Sequence, residues 1–201
     1  MTTDPSPAPR RYPKGEARRT AILEAALEVF ATAGYRTGGL REVAAKAGLT
    51  HAGVRHYFPT KLDLLHAVLE WRDEQAIRRM SSPEDPLEVL RQWIEAARYN
   101  QGAQRMVELQ VTLAAEATSA EHPLHEYLRE RYGFAVAFLR DTFRALQTRG
   151  DLVAGADPES AARTLIALTD GVQTQWLLNR DGVDMVALVR EEIQRFLVVE
   201  I

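Results

Sequence analysis

The sequence predicts an all-α protein of about nine helices, with an N-terminal three-helix domain followed by a larger helical domain. Apolar residues recur at helical spacing along most of the 201 residues, and the alternation typical of strands is missing. Helix starts are readable at Asp85-Pro86 and Asp157-Pro158, where an aspartate cap precedes a proline in the first turn. Gly150 stands where the periodicity of a long helix stops, as a left-handed helix end requires.

Composition and charge limit the classes of protein to which the chain can belong. Hydrophobic residues make up 46% and charged residues 26%, the values of an ordinary globular protein. The absence of cysteine excludes disulfides, thiolate metal sites and cysteine nucleophiles. Neither a transmembrane segment nor a signal-peptide core is found, so a cytoplasmic protein is expected. Residues 1–61 hold 10 Lys/Arg and 5 Asp/Glu, whereas residues 62–201 hold 15 and 23, so only the first third is suited to an anionic partner.

The first predicted helix covers residues 16–33 and ends at Gly34. Its apolar face consists of Ile22, Leu23, Ala26, Leu27 and Phe30. Residues 1–15 carry four prolines and three basic residues, a composition that predicts a flexible arm. The arm either reaches the phosphates or minor groove of a nucleic acid or is an ordinary solvated tail.

Residues 40–61 have the pattern of a helix-turn-helix. Apolar residues at i, i+3 and i+4 define a short helix from Leu40, and Gly48 follows where a left-handed cap is needed. Thr50 is placed to cap a second short helix of residues 51–58. The outer face of that helix carries small side chains near its N-terminus and basic side chains further on, which suits a helix that enters the DNA major groove. Two short helices joined at a glycine also occur in all-helical proteins that do not bind DNA.

A fourth helix, predicted up to residue 79, connects the first domain to the second. Thr60 and Asp63 have the spacing of a capping box at its start. Lys61 and the unpaired N–H groups of the first turn would lie beside the second helix of the motif, ready to contact a phosphate.

The remaining chain is predicted to be helical to its end. The predicted helices cover residues 86–101, 105–118, 124–149, 158–179 and a last one from 184. Apolar residues nearly encircle the helix of residues 105–118, so it should be central. They also cover more than one face of the helix of residues 158–179, more than a helix with a single packed side needs.

Residues 22–65 resemble the DNA-binding domain of the TetR family of transcriptional regulators. The matching residues are Ala25-Ala-Leu-Glu-Val-Phe30, Gly34-Tyr35, Leu40, Val43-Ala44, Ala47-Gly48-Leu49, Tyr57-Phe58, Thr60-Lys61 and Leu64-Leu65. The resemblance implies that Tyr57 and Lys61 bind phosphates, and that residues 50–56 bind bases and backbone. The residues predicted to contact DNA are Gly39, Arg41, Thr50, His51, Ala52, Gly53, Arg55, His56, Tyr57 and Lys61.

Three positions depart from the family pattern. Gly38 and Gly39 stand where the family usually has Thr or Ser, so a side-chain cap and phosphate contact are lost there. A backbone N–H can still serve, because glycine is an acceptable N-cap. Arg55 stands where the family often has Tyr, and it would pair with guanine O6 and N7 or with a phosphate, base readout being slightly favoured.

The resemblance implies a homodimer in which residues 124–149 and 158–179 pack against their symmetry mates as a four-helix interface. The alternative is a fully buried helix at residues 158–179 within a monomer.

A small-molecule effector bound in the second domain, which shifts the separation of two DNA-binding domains, is also implied by the resemblance. The candidate ligand-binding residues are Met106, Leu109, Thr112, Leu113, Glu116, Phe138, Gln173 and Trp176. A carboxylate that faces an apolar pocket would favour a cationic or hydrogen-bonding ligand. Alternatively, the stripe formed by Glu108, Thr112 and Glu116 points to solvent or pairs with Arg129 or Arg163.

No cofactor and no metal site are predicted. No Gly-rich phosphate loop or other catalytic motif occurs in the sequence in the structural context that its chemistry would need. His122 and His125 lie near Glu121 and Glu126, but the sequence offers no third ligand at helical spacing.

Together these observations predict a sequence-specific DNA-binding transcriptional regulator, a repressor that a small molecule releases from its operator, and not an enzyme. Residues 16–61 would form the DNA-binding domain and residues 62–201 the ligand-binding and dimerisation domain, with residues 62–79 as the connecting helix. The predicted partners are a double-stranded DNA operator, a second copy of the chain and an unidentified effector, but no membrane. The alternatives are an architectural DNA-binding protein without an effector and a helical enzyme that uses paired carboxylates such as Glu108 and Glu116.

Overall fold

The computed structural model describes residues 13–79 and 84–201, which form nine α-helices. They are α1 (Pro13–Thr37), α2 (Leu40–Lys46), α3 (His51–Tyr57), α4 (Lys61–Arg79), α5 (Pro86–Gly102), α6 (Gln104–Glu116), α7 (His125–Arg149), α8 (Pro158–Leu178) and α9 (Met185–Arg195). Extended pairing within these residues is limited to one antiparallel bridge between Leu152 and Leu197. The predicted all-α fold with a helix-turn-helix is confirmed.

The helices begin and end within two residues of their predicted bounds, except for α1. That helix begins at Pro13, so the last three residues of the predicted arm are helical, and residues 1–12 lie outside the described residues. Gly34 interrupts α1 with φ 72° and ψ 170°, as its predicted role as a helix end requires. One further turn then continues to Thr37, so the chain leaves helical conformation at Gly34, changes direction and resumes it for a single turn.

Side-chain caps fix the helix starts that the sequence had indicated. Asp85 and Asp157 each accept a backbone N–H of the first turn of α5 and α8, and both helices have proline at their first position. Asp184 accepts the N–H groups of Val186 and Ala187 and so starts α9. The C-terminal ends of α7 and of the short α2 are both followed by a glycine with positive φ.

The first core of buried side chains joins α1–α4 to α6 and to the start of α7. We call α1–α3 the head and α5–α9 the body, with α4 as the connecting helix. Head residues such as Ile22, Phe30 and Val54 belong to the same cluster of buried residues as Leu109 and Leu113 of α6. The buried side chains therefore cross the predicted domain boundary at residue 61, which itself stays a prediction.

A second core fills the body between α5, α7, α8 and α9, and includes Leu90, Leu139, Phe143, Leu165 and Ile193. Helices α7 and α8 lie against each other over much of their length. A smaller third cluster, formed by Val107, Val172, Trp176 and Met185, lies between α6, α8 and the start of α9. None of the helices in the two described ranges has the length and apolarity that crossing a bilayer would require.

Candidate nucleic-acid interface and body cavity

The helix-turn-helix is held together by local hydrogen bonds at the turn. Gly48 has φ 66°, and the next residue, Leu49, donates its N–H to the carbonyl of Ala44 at 2.9 Å. Thr50 then caps α3, because its Oγ1 accepts the N–H of Gly53 at 3.0 Å. These contacts fix the direction in which α3 leaves α2, while the fully buried Val54 fixes which side of α3 faces the core.

None of the ten residues predicted to contact DNA is buried in the core. Six are exposed: Arg41, Thr50, His51, Ala52, Arg55 and His56. Four are half-buried: Gly39, Gly53, Tyr57 and Lys61. The surface they form is therefore open to a duplex, and contact of each residue with DNA stays a prediction.

Arg55 is held at the C-terminal end of α3 by its own chain. Its Nε donates to the backbone carbonyl of Pro59 at 3.3 Å. This bond uses one of the five N–H donors of the guanidinium, so the other four remain for a base edge or a phosphate. The next side chain, His56, packs edge-on against Tyr57 with ring centroids 5.5 Å apart.

Lys61 begins α4, and the start of that helix is fixed by Thr60 and Asp63. The carboxylate of Asp63 accepts the N–H of Thr60 at 2.9 Å, and the N–H of Asp63 donates to Thr60 Oγ1 at 3.1 Å, as in a capping box. The Lys61 ammonium lies 4.6 Å from the centroid of the Tyr35 ring. Burial lowers the pKa of Lys61, and the charge of Glu116 partly offsets that effect.

Gly38 and Gly39 differ in whether the structure leaves room for a side chain. A Cβ at Gly38 would lie 2.9 Å from Cγ1 of Val29 and 3.2 Å from the ring of Phe30, so a side chain does not fit there. Gly39 is the N-cap of α2, with extended backbone angles and open space around it. The departure from the family pattern is thus enforced by packing at Gly38, whereas neither packing nor backbone conformation requires glycine at Gly39.

A small cavity of about 10 Å³, room for a single water molecule, lies between α4, α6 and α7. Its apolar wall includes three of the residues predicted to bind a ligand, namely Met106, Leu109 and Leu113. Its polar lining comes from Arg72, Gln110, Arg131 and Tyr132.

Five other predicted ligand-binding residues lie away from this cavity. Thr112 and Glu116 face the head, because both approach Gly34 of α1. Phe138 is 40% exposed and stacks on Phe134 along the outer surface of α7. Gln173 and Trp176 are buried on α8, Trp176 in the third cluster. The spacing of Thr112 and Glu116 puts them on one stripe of α6, but sequence periodicity does not indicate which neighbour covers that stripe.

The alternative pairing of the α6 stripe is also wrong. Glu108 is bound within its own helix by Gln104 at 2.6 Å and by Arg105 at 2.9 Å. Arg129 and Arg163 pair instead with Glu126 and Glu159 of their own helices. In the part of the chain that the structure describes, no group of three or more potential metal ligands comes together.

Two polar contacts beside the cavity were missed by sequence reasoning. Arg72 of α4 donates to the side-chain oxygen of Gln110, and the hydroxyl of Tyr132 donates to Asp170 at 2.8 Å. Burial is the main cause that raises the pKa of Tyr132 to about 12 and also raises the pKa of Asp170. Each pair is separated by 38 residues, so no local spacing signals it.

The outer surface of α7 and α8 carries large apolar side chains that this chain leaves uncovered. Phe134 is 75% exposed and Leu178 is 84% exposed. An open groove of about 580 Å³ runs between the two helices; its lining includes Gly133, Val136 and Ala167 together with charged residues such as Arg140 and Arg163. Large apolar side chains exposed on a helix pair are typical of a protein–protein interface.

An all-helical fold with an open helix-turn-helix surface and a larger helical body packed against the head is typical of a DNA-binding transcriptional regulator. Residues 22–68 match the model of the bacterial regulatory proteins of the tetR family, and residues 86–198 match that of the BetI-type transcriptional repressor C-terminal domain. The chain belongs to the TetR family of transcriptional regulators, as the sequence had predicted.

Relatives with known names are similar over most of their length. The transcriptional repressor BepR of Brucella suis is 28% identical over 187 residues, which cover 88% of this chain and 89% of BepR. The regulator TtgR of Pseudomonas putida is 28% identical over 202 residues, covering 90% of this chain and 91% of TtgR.

Solved structures share the fold. SmeT of Stenotrophomonas maltophilia in complex with triclosan has a TM-score of 0.76 at 22% identity, covering 90% of this chain and 92% of SmeT. NalD of Pseudomonas aeruginosa has a TM-score of 0.72 at 23% identity, and the match covers 93% of this chain and 99% of NalD.

Proposed function

We propose that this regulator is a homodimeric repressor that binds a near-palindromic DNA operator and leaves it when a small molecule binds in the body. The observation that carries the proposal is the outward face of α3, which is open from His51 to His56 on a turn that fixes its direction. The BetI-type repressor model that matches the body, and the naming of BepR as a repressor, support repression over activation. The family consists of transcriptional regulators, so the proposal includes no catalytic step.

In the proposed complex, α3 lies in the major groove and the head contacts phosphates on both sides of it. Arg55 reads guanine through the donors that Pro59 leaves available. Tyr57 and Lys61 bind phosphates, Lys61 at the N-terminus of α4, where the helix dipole also favours an anion. Since such a protein acts on chromosomal DNA, the proposal includes a cytoplasmic location.

The dimer would form through the outer surface of α7 and α8. Phe134 and Leu178 are the most exposed large apolar side chains of the described residues, and burial against a second copy would remove them from water. Along the same side of α8, Ala167, Gly171 and Thr174 are small and exposed, so another helix can approach closely. Two-fold symmetry would then place two α3 helices about 34–36 Å apart or slightly further, one turn of DNA.

The effector would enlarge the cavity beside α6. Its walls are mainly apolar, with the side chains of Arg72, Gln110 and Tyr132 as hydrogen-bonding groups, which suits an apolar molecule with one or two polar groups. SmeT has been solved in complex with triclosan. A transcriptional regulator from Saccharomonospora viridis, which is 23% identical to this chain and has a TM-score of 0.72, has been solved in complex with choline. If the binding free energy of the effector differs by a few kcal/mol between two conformations of the body, that difference is sufficient to change the separation of the two heads.

A second candidate is an architectural DNA-binding protein that responds to no effector. The observation in its favour is the size of the cavity, about 10 Å³, which is too small for any ligand without rearrangement. Thermal denaturation with a panel of apolar drug-like molecules separates the two candidates. A ligand that raises the melting temperature and also releases bound DNA supports the repressor, whereas a panel without any such ligand supports the architectural protein.

The experiment that tests the proposal is selection of duplexes from a random-sequence pool by the full-length protein, together with sedimentation velocity. The proposal predicts enrichment of a near-palindromic site and a dimer at micromolar concentration. Phe134→Glu should shift the protein toward monomer, because it would bury a charge in the interface. A wild-type monomer that binds every duplex equally would contradict both parts of the proposal.

A further inference from the structure

A group of polar side chains meets where the head joins the body. Glu116, the last residue of α6, lies beside Gly34, with its Oε1 3.0 Å from the position of a Cβ on that glycine. Tyr35 follows Gly34, and its ring packs edge-on against the ring of His122 with centroids 5.4 Å apart. The ammonium of Lys61 lies 4.6 Å from the centroid of the same tyrosine ring. A carboxylate of the body and the first lysine of the connecting helix α4 thus both lie beside the Gly34–Tyr35 pair of the head.

The ring of His122 lies beside the carboxylate of Glu116 on the side of the body. The ring is 6% exposed, and its Nδ1 accepts the N–H of Leu124 at 3.2 Å. A neutral ring whose Nδ1 is an acceptor carries its proton on Nε2, which lies 3.8 Å from Oε2 of Glu116. That oxygen is buried and accepts no hydrogen bond from the described residues. One oxygen of the carboxylate is therefore directed inward at this joint, although the Glu116 side chain as a whole is half-buried.

The charge of Glu116 acts on Lys61. It raises the pKa of the Lys61 ammonium, although burial of that group lowers the pKa more strongly. The Thr60–Asp63 cap fixes the backbone of Lys61, while its ammonium lies over the ring of Tyr35, the residue that follows the Gly34 approached by Glu116. In the proposed complex a DNA phosphate would draw the same ammonium away from Glu116, so carboxylate and phosphate compete for it.

We infer that Glu116 is a positioning residue for the contact between Lys61 and DNA: its carboxylate attracts the Lys61 side chain toward the body and thereby weakens binding of a phosphate. The inference rests on the proposed function, in which Lys61 binds a phosphate. Glu116 is carried by the helix whose Met106, Leu109 and Leu113 line the body cavity. Displacement of α6 therefore changes the distance between the carboxylate and the lysine.

The test measures the affinity of the full-length protein for a duplex selected from a random pool, with Glu116→Gln, Lys61→Met and the double variant. Glu108→Gln is the matched control, because it removes the same charge from the same helix about 12 Å away. Glu116→Gln should tighten binding about threefold to tenfold, and Glu108→Gln by less than about twofold. In the Lys61→Met background, Glu116→Gln should change nothing, because the ammonium on which it acts is absent.

Three results would overturn the inference. Weaker binding by Glu116→Gln, an equal effect of Glu108→Gln, or the same gain with and without Lys61 would each show that the carboxylate does not act through that lysine. If Glu116→Gln melts well below the wild type, Glu116→Asp replaces it. Glu116→Asp shortens the side chain by one methylene and so moves the carboxylate away from Lys61. It should give a smaller gain in DNA affinity than Glu116→Gln, again only when Lys61 is present. A wild-type protein that selects no duplex would instead contradict the proposed function itself.

Discussion

The hydroxyl of Tyr132 donates to Oδ2 of Asp170 at 2.8 Å, and this bond joins α7 to α8 beside the body cavity. Both groups are partly buried, and Arg72 and Arg131 lower the pKa of Asp170 against the effect of burial. The contact therefore links the two helices of the proposed dimer surface to the residues around the cavity.

Removal of this hydrogen bond should destabilise the fold. Tyr132→Phe keeps the ring but leaves a partly buried carboxylate without its donor, so we expect the free energy of unfolding to fall by about 1–2 kcal/mol. Urea denaturation measures the change. Asp170→Asn in the same background is the control, because it should lose little further stability once the phenol is gone. Equal effects of the asparagine change in both backgrounds would mean that the two side chains do not interact.

Stability should fall at high pH because of Tyr132. The phenol has an ordinary pKa of 10.0 when unfolded and about 12 when folded, so the folded state keeps the proton longer. The stabilisation is complete below pH 10 and is lost as the pH rises through about 12. Denaturation midpoints measured from pH 9 to 12 should fall more steeply for the wild type than for Tyr132→Phe. Parallel curves would show that another group determines the alkaline transition.

The turn of the helix-turn-helix should depend on glycine at position 48. Gly48 has φ 66°, a conformation that disfavours a Cβ, so Gly48→Ala should lower stability by about 1 kcal/mol. Gly15→Ala is the control, since Gly15 is helical and has open space around it, and it should not lose stability. Thermal denaturation of both variants tests this, and equal melting temperatures would contradict the requirement for glycine in the turn.

Serine should have opposite effects at the two neighbouring glycines before α2. At Gly39 the side chain has room and the backbone is extended, so Gly39→Ser should cap α2 and add a few tenths of a kcal/mol. At Gly38 a Cβ would lie 2.9 Å from Val29, and overpacking there should destabilise by about 1–3 kcal/mol. Denaturation of the two variants side by side gives the comparison, and equal stability would argue against the close packing at Gly38.

The head could be predicted from the sequence because its determinants are local. The cap at Thr50, the turn at Gly48 and the capping box at Thr60 each involve residues at most five apart, and all three are present. The ten predicted DNA residues were therefore expected on an accessible surface.

The body was less predictable because its contacts are distant in sequence. Tyr132 and Asp170 are 38 residues apart, and periodicity alone does not show that they meet. Glu116 was assigned to a pocket because it is a polar residue among apolar ones on α6, but α1 of the head approaches this end of α6. Phe138 was assigned to a cavity since it is apolar, although α7 has an apolar outer surface as well as an inner one.

The central claim is that the face of α3 reads DNA, and Arg55→Ala tests it most directly. Wild type and variant would each select duplexes from the same random pool, with Lys61→Ala as a phosphate-contact control. We expect the wild type to enrich a near-palindrome and Arg55→Ala to relax one base position in each half-site, losing about 1–3 kcal/mol of discrimination there. Lys61→Ala should weaken all sequences alike and reduce the salt dependence. An unchanged site and unchanged affinity for Arg55→Ala would contradict the assignment of α3 as the recognition helix.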